Sequence, residues 1–534
     1  MKDSSSWWRN GIIYQIYPRS FKDTTQNGLG DLDGVVQKLD YLADLGIDAI
    51  WLSPIYPSPD VDFGYDVADY FDIDPRFGSL QDFDNLVSQA HQRNIHIILD
   101  LVLNHTSDQH PWFKEALKSK YNPYHDWYLW QDPSADGGKP NNWYAVFGGP
   151  AWEYVASLNQ YYYHMFCKEQ PDLNWRNPDV KETMLNVFRF WLDRGVDGFR
   201  LDVFNMYYKH ENFLDNPRKP TGLRPFDRQD HLYDVSQEDM YPLISEIREI
   251  LDSYENRYVV GETFLADSEH ASSYIGPDLL HAGFDYGFAN SKWQANQFSS
   301  AIEKWDALHP EPKWPNYFLN NHDTPRSATR FKSDEADNRC KLLAAMHLTL
   351  RGTPFLYYGE EIGMRDIRLM PWQVQDPVGK RYWFAGQGRD GCRSPMQWDE
   401  TEHAGFSNAK PWLPVHPNYK SRNVSKQLKE TGSLINFYKQ LINVRRQFDA
   451  LNSGSIQLIP TGHSSILSYL RVYENQAIFV ILNFNKDPVI FKLPETLPKR
   501  HWKILFAQGL ALDSEFADSE LKLQGYETLL LIGL

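Results

Sequence analysis

Short runs of β-branched and aromatic residues alternate with amphipathic, helix-like stretches over most of the chain, from about residue 11 to residue 447. A repeated strand-then-helix pattern of this kind is typical of α/β proteins with parallel strands. Eight apolar runs are candidate strands, and they begin at Gly11, Ile47, His96, Val196, Arg257, Ala282, Trp314 and Thr353. We therefore predict a (β/α)8 barrel.

Two segments between or after these strands are too long to be ordinary barrel loops. They cover residues 104–174 and about 365–425, and both are rich in turn residues. We expect each to form a lobe at the carboxyl ends of the strands, where barrel enzymes hold their active sites. After residue 452 the pattern becomes alternating strands and turns, which predicts an antiparallel β-sandwich domain over 453–534. The barrel itself is expected to comprise residues 1–103 and 175–452.

Composition and charge narrow the class of partner. Aromatic residues make up 15% of the chain, which fits either a large aromatic core or a cleft in which rings stack on sugars. The formal net charge of −16 disfavours nucleic acid and anionic membrane surfaces. A small neutral substrate is therefore expected.

Cysteine usage and the absence of long apolar runs indicate the compartment. The three cysteines Cys167, Cys340 and Cys392 are odd in number and far apart, which disfavours a disulfide framework. No stretch approaches the roughly 18 apolar residues of a membrane helix, and the N-terminus lacks an apolar run of signal-peptide length. These features predict a cytoplasmic protein, with monomer and homodimer both left open.

Ionisable side chains gather at the ends of the predicted strands. They are Asp100, Asn104 and His105 after the third strand, Arg200 and Asp202 on the fourth, Glu262 after the fifth, and His322 and Asp323 after the seventh. Any one of them alone is more often part of a structural ion pair. Because the carboxyl ends of barrel strands meet at one face, the whole set is expected to converge on an active site.

Four segments in this set, DLVLNH, GFRLDV, VGET and FLNNHD, resemble the signature segments of the α-amylase family of glycoside hydrolases, family 13. QPDLNW at Gln170 resembles the version found in the oligo-1,6-glucosidase and α-glucosidase branch. The resemblance implies a retaining, exo-acting α-glucosidase that cuts short oligosaccharides or disaccharides through a covalent glucosyl-aspartate intermediate. It implies no cofactor for the chemistry.

The resemblance also implies roles for residues of the set, and Asp100 is expected to support Arg200 rather than to contact sugar. A retaining glycosidase needs two carboxyl groups roughly 5–5.5 Å apart. By the resemblance, Asp202 is the nucleophile, Glu262 the general acid/base and Asp323 the carboxylate that binds the sugar hydroxyls. Arg200 shares a face of its strand with Asp202 and is expected to keep Asp202 ionised. His105 and His322 are expected to donate hydrogen bonds to the same glucose.

Further residues of the pocket follow from the segment SPDVDFGYDVADY. It resembles the part of exo-acting members that holds the non-reducing glucose, with Tyr65 stacking on the ring and Asp62 accepting from hydroxyls. Arg393 resembles the arginine that pairs with this aspartate and closes the pocket. Phe147 and Phe166 resemble aromatic walls of the pocket, with packing in the core as the alternative.

The segment KDTTQNGLGDLDG resembles the calcium or magnesium loop of this branch. Its ligands would be the side chains of Asp23, Asn27 and Asp31, the hydroxyl of Thr25 and the backbone carbonyl of Leu29. Thr25 and Asn27 stand where relatives commonly carry acidic or amide ligands, so an Asx-rich turn without metal is the alternative. Any metal here would be structural.

Linkage preference stays open at the level of sequence. Val203, directly after Asp202, resembles enzymes that accept α-1,6 bonds, but the continuation VFNMYYKH departs from the oligo-1,6-glucosidase pattern. Maltose, isomaltose, sucrose and trehalose all remain candidate substrates. Alternative functions are an oligo-1,6-glucosidase or dextran glucosidase, a sucrose- or maltose-acting transglucosylase or isomerase, and an inactive binding subunit. The presence of all three acidic residues argues against the last.

Overall fold

The computed structural model describes residues 6–334, 336–494, 497–498, 501–507 and 520–533 of the chain. Eight parallel strands, β1 to β8, form one sheet in the order β7-β8-β1-β2-β3-β4-β5-β6. Their ranges are Ile13–Ile16, Ala49–Leu52, His96–Leu101, Gly198–Leu201, Tyr258–Gly261, Ala282–Gly283, Asn316–Phe318 and Thr353–Tyr357. The sheet rolls into a barrel whose seam lies between β6 and β7. The prediction of a (β/α)8 barrel with these eight strands is confirmed.

The register of β3, β4 and β5 brings the predicted site residues to the same height at the carboxyl end of the barrel. Asp100 on β3 lies opposite Arg200 on β4, and Leu201 on β4 lies opposite Gly261 on β5. The residues that follow this last pair, Asp202 and Glu262, therefore emerge side by side at the carboxyl end of the barrel. Almost every strand residue is buried, as expected when helices cover a parallel sheet from outside.

The helices that cover the barrel have local sequence reasons to form. Helix Leu80–His91 begins at Ser79, whose hydroxyl accepts from the Asp82 amide while the Asp82 carboxylate accepts from the Ser79 amide. It buries Phe83, Leu86, Val87 and Ala90, which lie on one face at helical spacing. The other long helices are Leu39–Leu45, Pro178–Asp193, Met240–Asp252, Ala295–Ala307, Asn338–Thr349 and Leu434–Gln447. Shorter α-helices are Trp7–Asn10, Leu32–Val36, Pro111–Ala116, Ser268–Ser273, Tyr286–Ala289, Ser327–Arg330, Pro377–Tyr382, Val424–Gln427 and Asp449–Asn452.

The segment after β3 forms a lobe above the barrel. It contains an antiparallel sheet of three short strands, Trp130–Gln131, Trp152–Val155 and Gln160–Tyr163. A buried ion pair between Lys209 Nζ and Asp172 Oδ2, at 2.6 Å, ties the lobe to the barrel. The segment after β8 reaches the same lobe, because Arg381 donates to the carbonyl of Gly148 at 2.5 Å. The two segments together surround the carboxyl ends of the strands.

The C-terminal part of the chain is antiparallel. Its larger sheet contains Ser455–Leu458, Ile466–Tyr473, Gln476–Asn483, Trp502–Ala507 and Thr528–Gly533, and a second pair joins Val489–Lys492 to Glu520–Leu523. The sheet packs on the barrel through Tyr469, whose hydroxyl bonds Thr349 Oγ1 at 2.6 Å. Among all the described residues, no helix combines the length and apolar character needed to cross a membrane.

Candidate active site

A cavity of about 610 Å³ opens at the carboxyl ends of the strands, between the two lobes. Its walls contain the predicted site residues Asp62, Tyr65, His105, Phe147, Phe166, Asp202, Glu262 and Asp323. Three further predicted residues, Arg200, His322 and Arg393, lie behind this wall and are almost fully buried. The structure thus brings the predicted catalytic and sugar-binding positions together in one pocket.

One guanidinium group organises the floor of the pocket. Arg200 Nη1 donates to Asp100 Oδ1 and to Asp202 Oδ1, both at 2.7 Å, and Arg200 Nη2 donates to Glu262 Oε2. The alternation of side chains on β4 places Arg200 and Asp202 on the same face, as predicted. Asp100 contacts Arg200 from the neighbouring strand, so it supports the arginine from beneath the pocket.

Charge in this cluster is unbalanced. Three buried carboxyl groups share one cation, and burial raises the pKa of Asp100 to about 6, with Arg200 opposing the shift. Burial likewise raises the pKa of Asp202 well above its ordinary value, against the attraction of Arg200 and with the help of Glu262. Groups this close titrate together, so the raised pKa of Asp100 and Asp202 belongs to the cluster rather than to either residue alone.

Asp323 has the opposite surroundings. Arg393 Nη2 lies 2.8 Å and Arg389 Nη1 lies 3.3 Å from its Oδ1 atom. Burial opposes ionisation of Asp323, but His322 and the two arginines hold its pKa below the ordinary value. Burial also lowers the pKa of His322 itself to about 3, so this ring is neutral and the arginines are what keep Asp323 charged. Asp323 is therefore a fixed hydrogen-bond acceptor at the pocket wall.

Tyr65 and the two histidines form a connected polar layer. The Tyr65 hydroxyl lies 2.6 Å from His322 Nε2 and 3.0 Å from Asp100 Oδ2, and the two rings are parallel. His105 Nε2 lies 2.8 Å from the Tyr65 carbonyl oxygen. Burial lowers the pKa of His105, so it too is neutral. These contacts fix the orientation of Tyr65 at the pocket wall.

The expected pairing of Arg393 with Asp62 is wrong. Arg389 Nη2 lies 2.5 Å from Asp62 Oδ1, whereas Arg393 is buried and donates from Nε to the carbonyl of His322 at 2.8 Å. A 3₁₀ turn, Asp390–Arg393, separates the two arginines, so one faces the pocket and the other faces the core. A second carboxylate, Asp376, lies 2.6 Å from Arg389 Nη2 and holds it in place.

Phe147 and Phe166 both line the pocket and pack in the apolar core of the lobe. The Phe147 and Phe166 rings lie 5.4 Å apart, line the pocket and also belong to a buried apolar cluster in the lobe after β3. The Arg389 guanidinium lies 5.0 Å above the Phe147 ring. Each ring therefore contributes both packing and pocket wall.

Several pocket residues were not predicted from the sequence. Besides Arg389 they include Tyr286, Arg224, Phe264 and Val378. The Tyr286 hydroxyl donates to Glu262 Oε1 at 2.5 Å. Tyr286 follows the two-residue strand β6, where an aromatic residue is easily taken for part of the core. Its position at the carboxyl end of a barrel strand is the signal that identifies it.

Val203 carries backbone strain at the site. Its φ is +35° and its ψ +40°, a left-handed conformation that β-branched residues rarely adopt. The conformation directs its amide N–H toward Glu262 Oε2 at 3.4 Å. Strained residues persist where surrounding structure fixes them, and they concentrate at functional sites. Val203 also lines the pocket beside Asp202.

In the loop predicted to bind a metal, the candidate ligand oxygens already accept hydrogen bonds from within the protein. Asp23 accepts from the amides of Gln26 and Gly28 at 2.8 and 2.9 Å, and its Oδ2 also accepts from Ser407. Asp31 accepts from the amides of Thr24 and Gly34 at 2.8 and 2.7 Å. The Asn27 side-chain oxygen accepts from the amide of Leu29 at 2.7 Å.

These contacts fit an Asx-rich turn, because N–H and O–H donors occupy the oxygens that a cation would need. Thr25 and Asn27 are exposed. The residues as arranged do not fit a calcium or magnesium ion. The metal stays a prediction.

The comparisons with known proteins agree along the whole chain. Residues 15–454 match the family model described as alpha amylase, catalytic domain, and residues 466–530 match that of the alpha-amylase SusG C-terminal domain. A probable alpha-glucosidase of Rhizobium meliloti (strain 1021) is 38% identical over 98% of this chain and 97% of its own. An oligo-1,6-glucosidase of Parageobacillus thermoglucosidasius is 37% identical over 98% of each. The crystal structure of the alpha-glucosyl transfer enzyme XgtA superimposes with a TM-score of 0.94 at 37% identity, covering 99% of this chain and 100% of that one.

Proposed function

The chain belongs to the α-amylase family of glycoside hydrolases, and we propose that it is a retaining, exo-acting α-glucosidase. Its substrates are short oligosaccharides or disaccharides with a terminal, non-reducing, α-linked glucose. The observation that carries this proposal is the sharing of one buried guanidinium, that of Arg200, by Asp202 and Glu262 at the floor of the pocket. Two carboxyl groups held this near to each other suit direct attack on the anomeric carbon by one of them.

The reaction has two steps. In the first, a carboxylate oxygen of Asp202 bonds to the anomeric carbon as the bond to the leaving oxygen breaks, and Glu262 gives its proton to that oxygen. In the second, Glu262 takes a proton from water, which displaces Asp202 and restores the original configuration. Asp323, held ionised by two arginines, accepts hydrogen bonds from sugar hydroxyls and gains strength as charge develops on the ring.

Exo-action follows from the closed end of the pocket. The ion pair between Asp62 and Arg389 spans the wall between the segment after β2 and the segment after β8. An end blocked in this way is expected to admit one glucose unit beyond the scissile bond. The polar groups of the pair are placed to bond that glucose.

Transfer of glucose to a second sugar is the alternative, because a covalent intermediate can be captured by an acceptor other than water. The similarity to an alpha-glucosyl transfer enzyme favours it, and so do apolar residues that line the pocket, Val203, Phe264 and Val378. Similarity to an oligo-1,6-glucosidase, together with Val203, favours α-1,6 bonds within either activity. An inactive binding subunit is disfavoured by the intact set of acidic residues.

We place this activity in the cytoplasm. The three cysteines are unpaired, as expected in a reducing compartment. The chemistry needs no cofactor, because all the groups it uses are side chains. Monomer and homodimer both remain open.

The test is glucose release from maltose, isomaltose, sucrose, trehalose and p-nitrophenyl α-glucoside, with Asp202→Asn beside the wild type. We expect release from at least one of them, α-glucose as the first product by NMR, and a loss of at least about 10³-fold in the variant. Products larger than the substrate at high sugar concentration would move the assignment to transfer. No release from any substrate, with a folded protein, would reject the α-glucosidase.

A further inference from the structure

The loop after β6 carries a tyrosine that contacts the reacting groups. Tyr286 is the first residue of helix Tyr286–Ala289, whose N-cap, Asp285, accepts from the amides of Gly287 and Phe288. Its ring meets the Phe318 ring edge to face at 5.3 Å, so the ring position is fixed by β7. Its hydroxyl points into the pocket and donates to Glu262 Oε1 at 2.5 Å.

The two oxygens of Glu262 therefore have different partners. Oε2 accepts from Arg200 and, at 3.4 Å, from the amide of Val203. Among the residues that the structure describes, Oε1 accepts from the Tyr286 hydroxyl. Burial, followed by the charge of Glu262, raises the pKa of Tyr286 well above its ordinary value. The hydroxyl keeps its proton and acts as a neutral donor.

We propose that Tyr286 is a positioning residue for the general acid/base, and that its hydroxyl sets how readily Glu262 releases and regains its proton. The inference rests on the proposed function. In the first step the proton passes from Glu262 to the leaving oxygen, the glycosidic bond breaks and the carboxyl group becomes an anion. The Tyr286 O–H then donates to this anion, and no proton leaves the tyrosine. The hydrogen bond is stronger to the anion than to the acid, so it favours proton release.

Other charged groups around Glu262 act on the same proton. They are Asp100 on β3, Arg200 on β4 and Asp202 directly after β4, and Asp323 after β7 acts on Asp202 and Tyr286 beside it. None of these is altered when the tyrosine hydroxyl alone is removed. A change in the pH profile on that removal therefore reports the hydrogen bond from Tyr286.

The test compares Tyr286→Phe with Tyr41→Phe. Tyr41 donates its hydroxyl to a different buried carboxylate, Glu361 Oε1, at 2.6 Å, and neither residue lines the pocket. The control therefore removes the same atom from another tyrosine–carboxylate hydrogen bond, at an oxygen to which Tyr14 also donates at 2.9 Å. For each protein we would measure the melting temperature and the pH dependence of kcat/KM. The substrates are a disaccharide cleaved by the wild type and an aryl α-glucoside with a good leaving group, which needs little proton assistance.

In Tyr286→Phe we expect kcat/KM for the disaccharide to fall about tenfold. The value for the aryl glucoside should fall by less than about threefold, because its leaving group needs less help. The alkaline limb of the disaccharide profile should move to higher pH by about half a pH unit or more. Tyr41→Phe should leave both the limb and the ratio between substrates unchanged.

Equal losses of kcat/KM on both substrates, with an alkaline limb that does not move, would overturn the inference. Tyr286 would then only line the pocket. Movement of the limb in Tyr41→Phe as well would also overturn it, because the effect would then be general. Failure of the proposed function looks different, since the wild type itself would then cleave neither substrate.

Discussion

The two ends of strand β4 carry buried aspartates in contrasting surroundings. Asp197 precedes the strand at the amino-terminal end of the barrel, and Asp202 follows it at the carboxyl end. Their exposed fractions are 4% and 6%, so both are withdrawn from water to the same degree. What differs is the number of positive partners that each carboxylate has.

The Asp197 carboxylate is surrounded by four hydrogen-bonding or positively charged groups. His91 Nε2 lies at 2.7 Å, Arg257 Nη1 at 3.2 Å and His96 Nδ1 at 3.3 Å from its oxygens, and the amide of Ile97 donates at 2.8 Å. Burial alone would raise the pKa of Asp197, but hydrogen bonds from the two histidines hold it below the ordinary value. This end of the strand is arranged for stability.

Asp202 shares its one cation with Asp100 and Glu262, and its pKa is raised. The carboxyl end of the strand is therefore short of positive charge, which costs stability and is typical of reactive sites. Burial alone does not distinguish a structural aspartate from a reactive one. The balance of charge around it does.

The largest expected effect on stability is at Asp197. Asp197→Asn leaves Arg257 without its buried partner, and we expect a loss of about 3 kcal/mol in the free energy of unfolding at pH 7. Because the pKa of Asp197 is lowered, its contribution is present above about pH 4 and is lost as the pH falls further. Denaturant unfolding at pH 7 and at about pH 3 measures both values. Activity per folded molecule should stay within about twofold, and a large loss there would contradict the structural role.

The contrast also explains what could be predicted from the sequence. Runs such as HIILDL identify strands because they must be apolar on both faces, and the period of two placed Arg200 beside Asp202. The choice between Arg389 and Arg393 could not be made, because they lie in an aperiodic segment and only the path of the 3₁₀ turn decides which one faces Asp62. Tyr286 was missed because a two-residue strand gives no pattern and a tyrosine there resembles core.

The second-largest expected effect is on activity. It concerns Asp62 and Asp323, two carboxylates at the active site that, unlike Asp202, have arginine partners of their own. Arg389→Ala removes the cation nearest Asp62, and we expect kcat/KM for the best substrate to fall about 30-fold, mainly through KM. A double-mutant cycle with Asp62→Asn should show an interaction of at least about 1 kcal/mol between the two residues. Additive losses would mean that the pair does not act together in closing the pocket.

A smaller effect is expected on the free energy of unfolding, if the cluster of Asp100, Asp202 and Glu262 around Arg200 destabilises the fold. Its raised pKa means that ionising Asp202 in the folded protein is unfavourable, so its cost grows as the pH rises above about 4. Asp202→Asn, inactive, should therefore melt at the same temperature as the wild type near pH 4. At pH 7 it should be more stable by about 1 kcal/mol. A variant less stable than the wild type at pH 7 would show that Arg200 compensates the cluster fully.

The smallest expected effect is at the loop of Asp23 and Asp31, a third pair of buried carboxylates. Their oxygens accept from backbone amides and hydroxyls, which balance them without a cation. We therefore expect a chelator, or millimolar Ca²⁺ or Mg²⁺, to move the melting temperature by less than about 1 °C and to leave activity unchanged. An ion at 100 times its dissociation constant would contribute about 2.7 kcal/mol, which is several degrees. A drop of that size on chelation, reversed by one ion and absent in Asp31→Asn, would establish the metal and show that the loop rearranges around it.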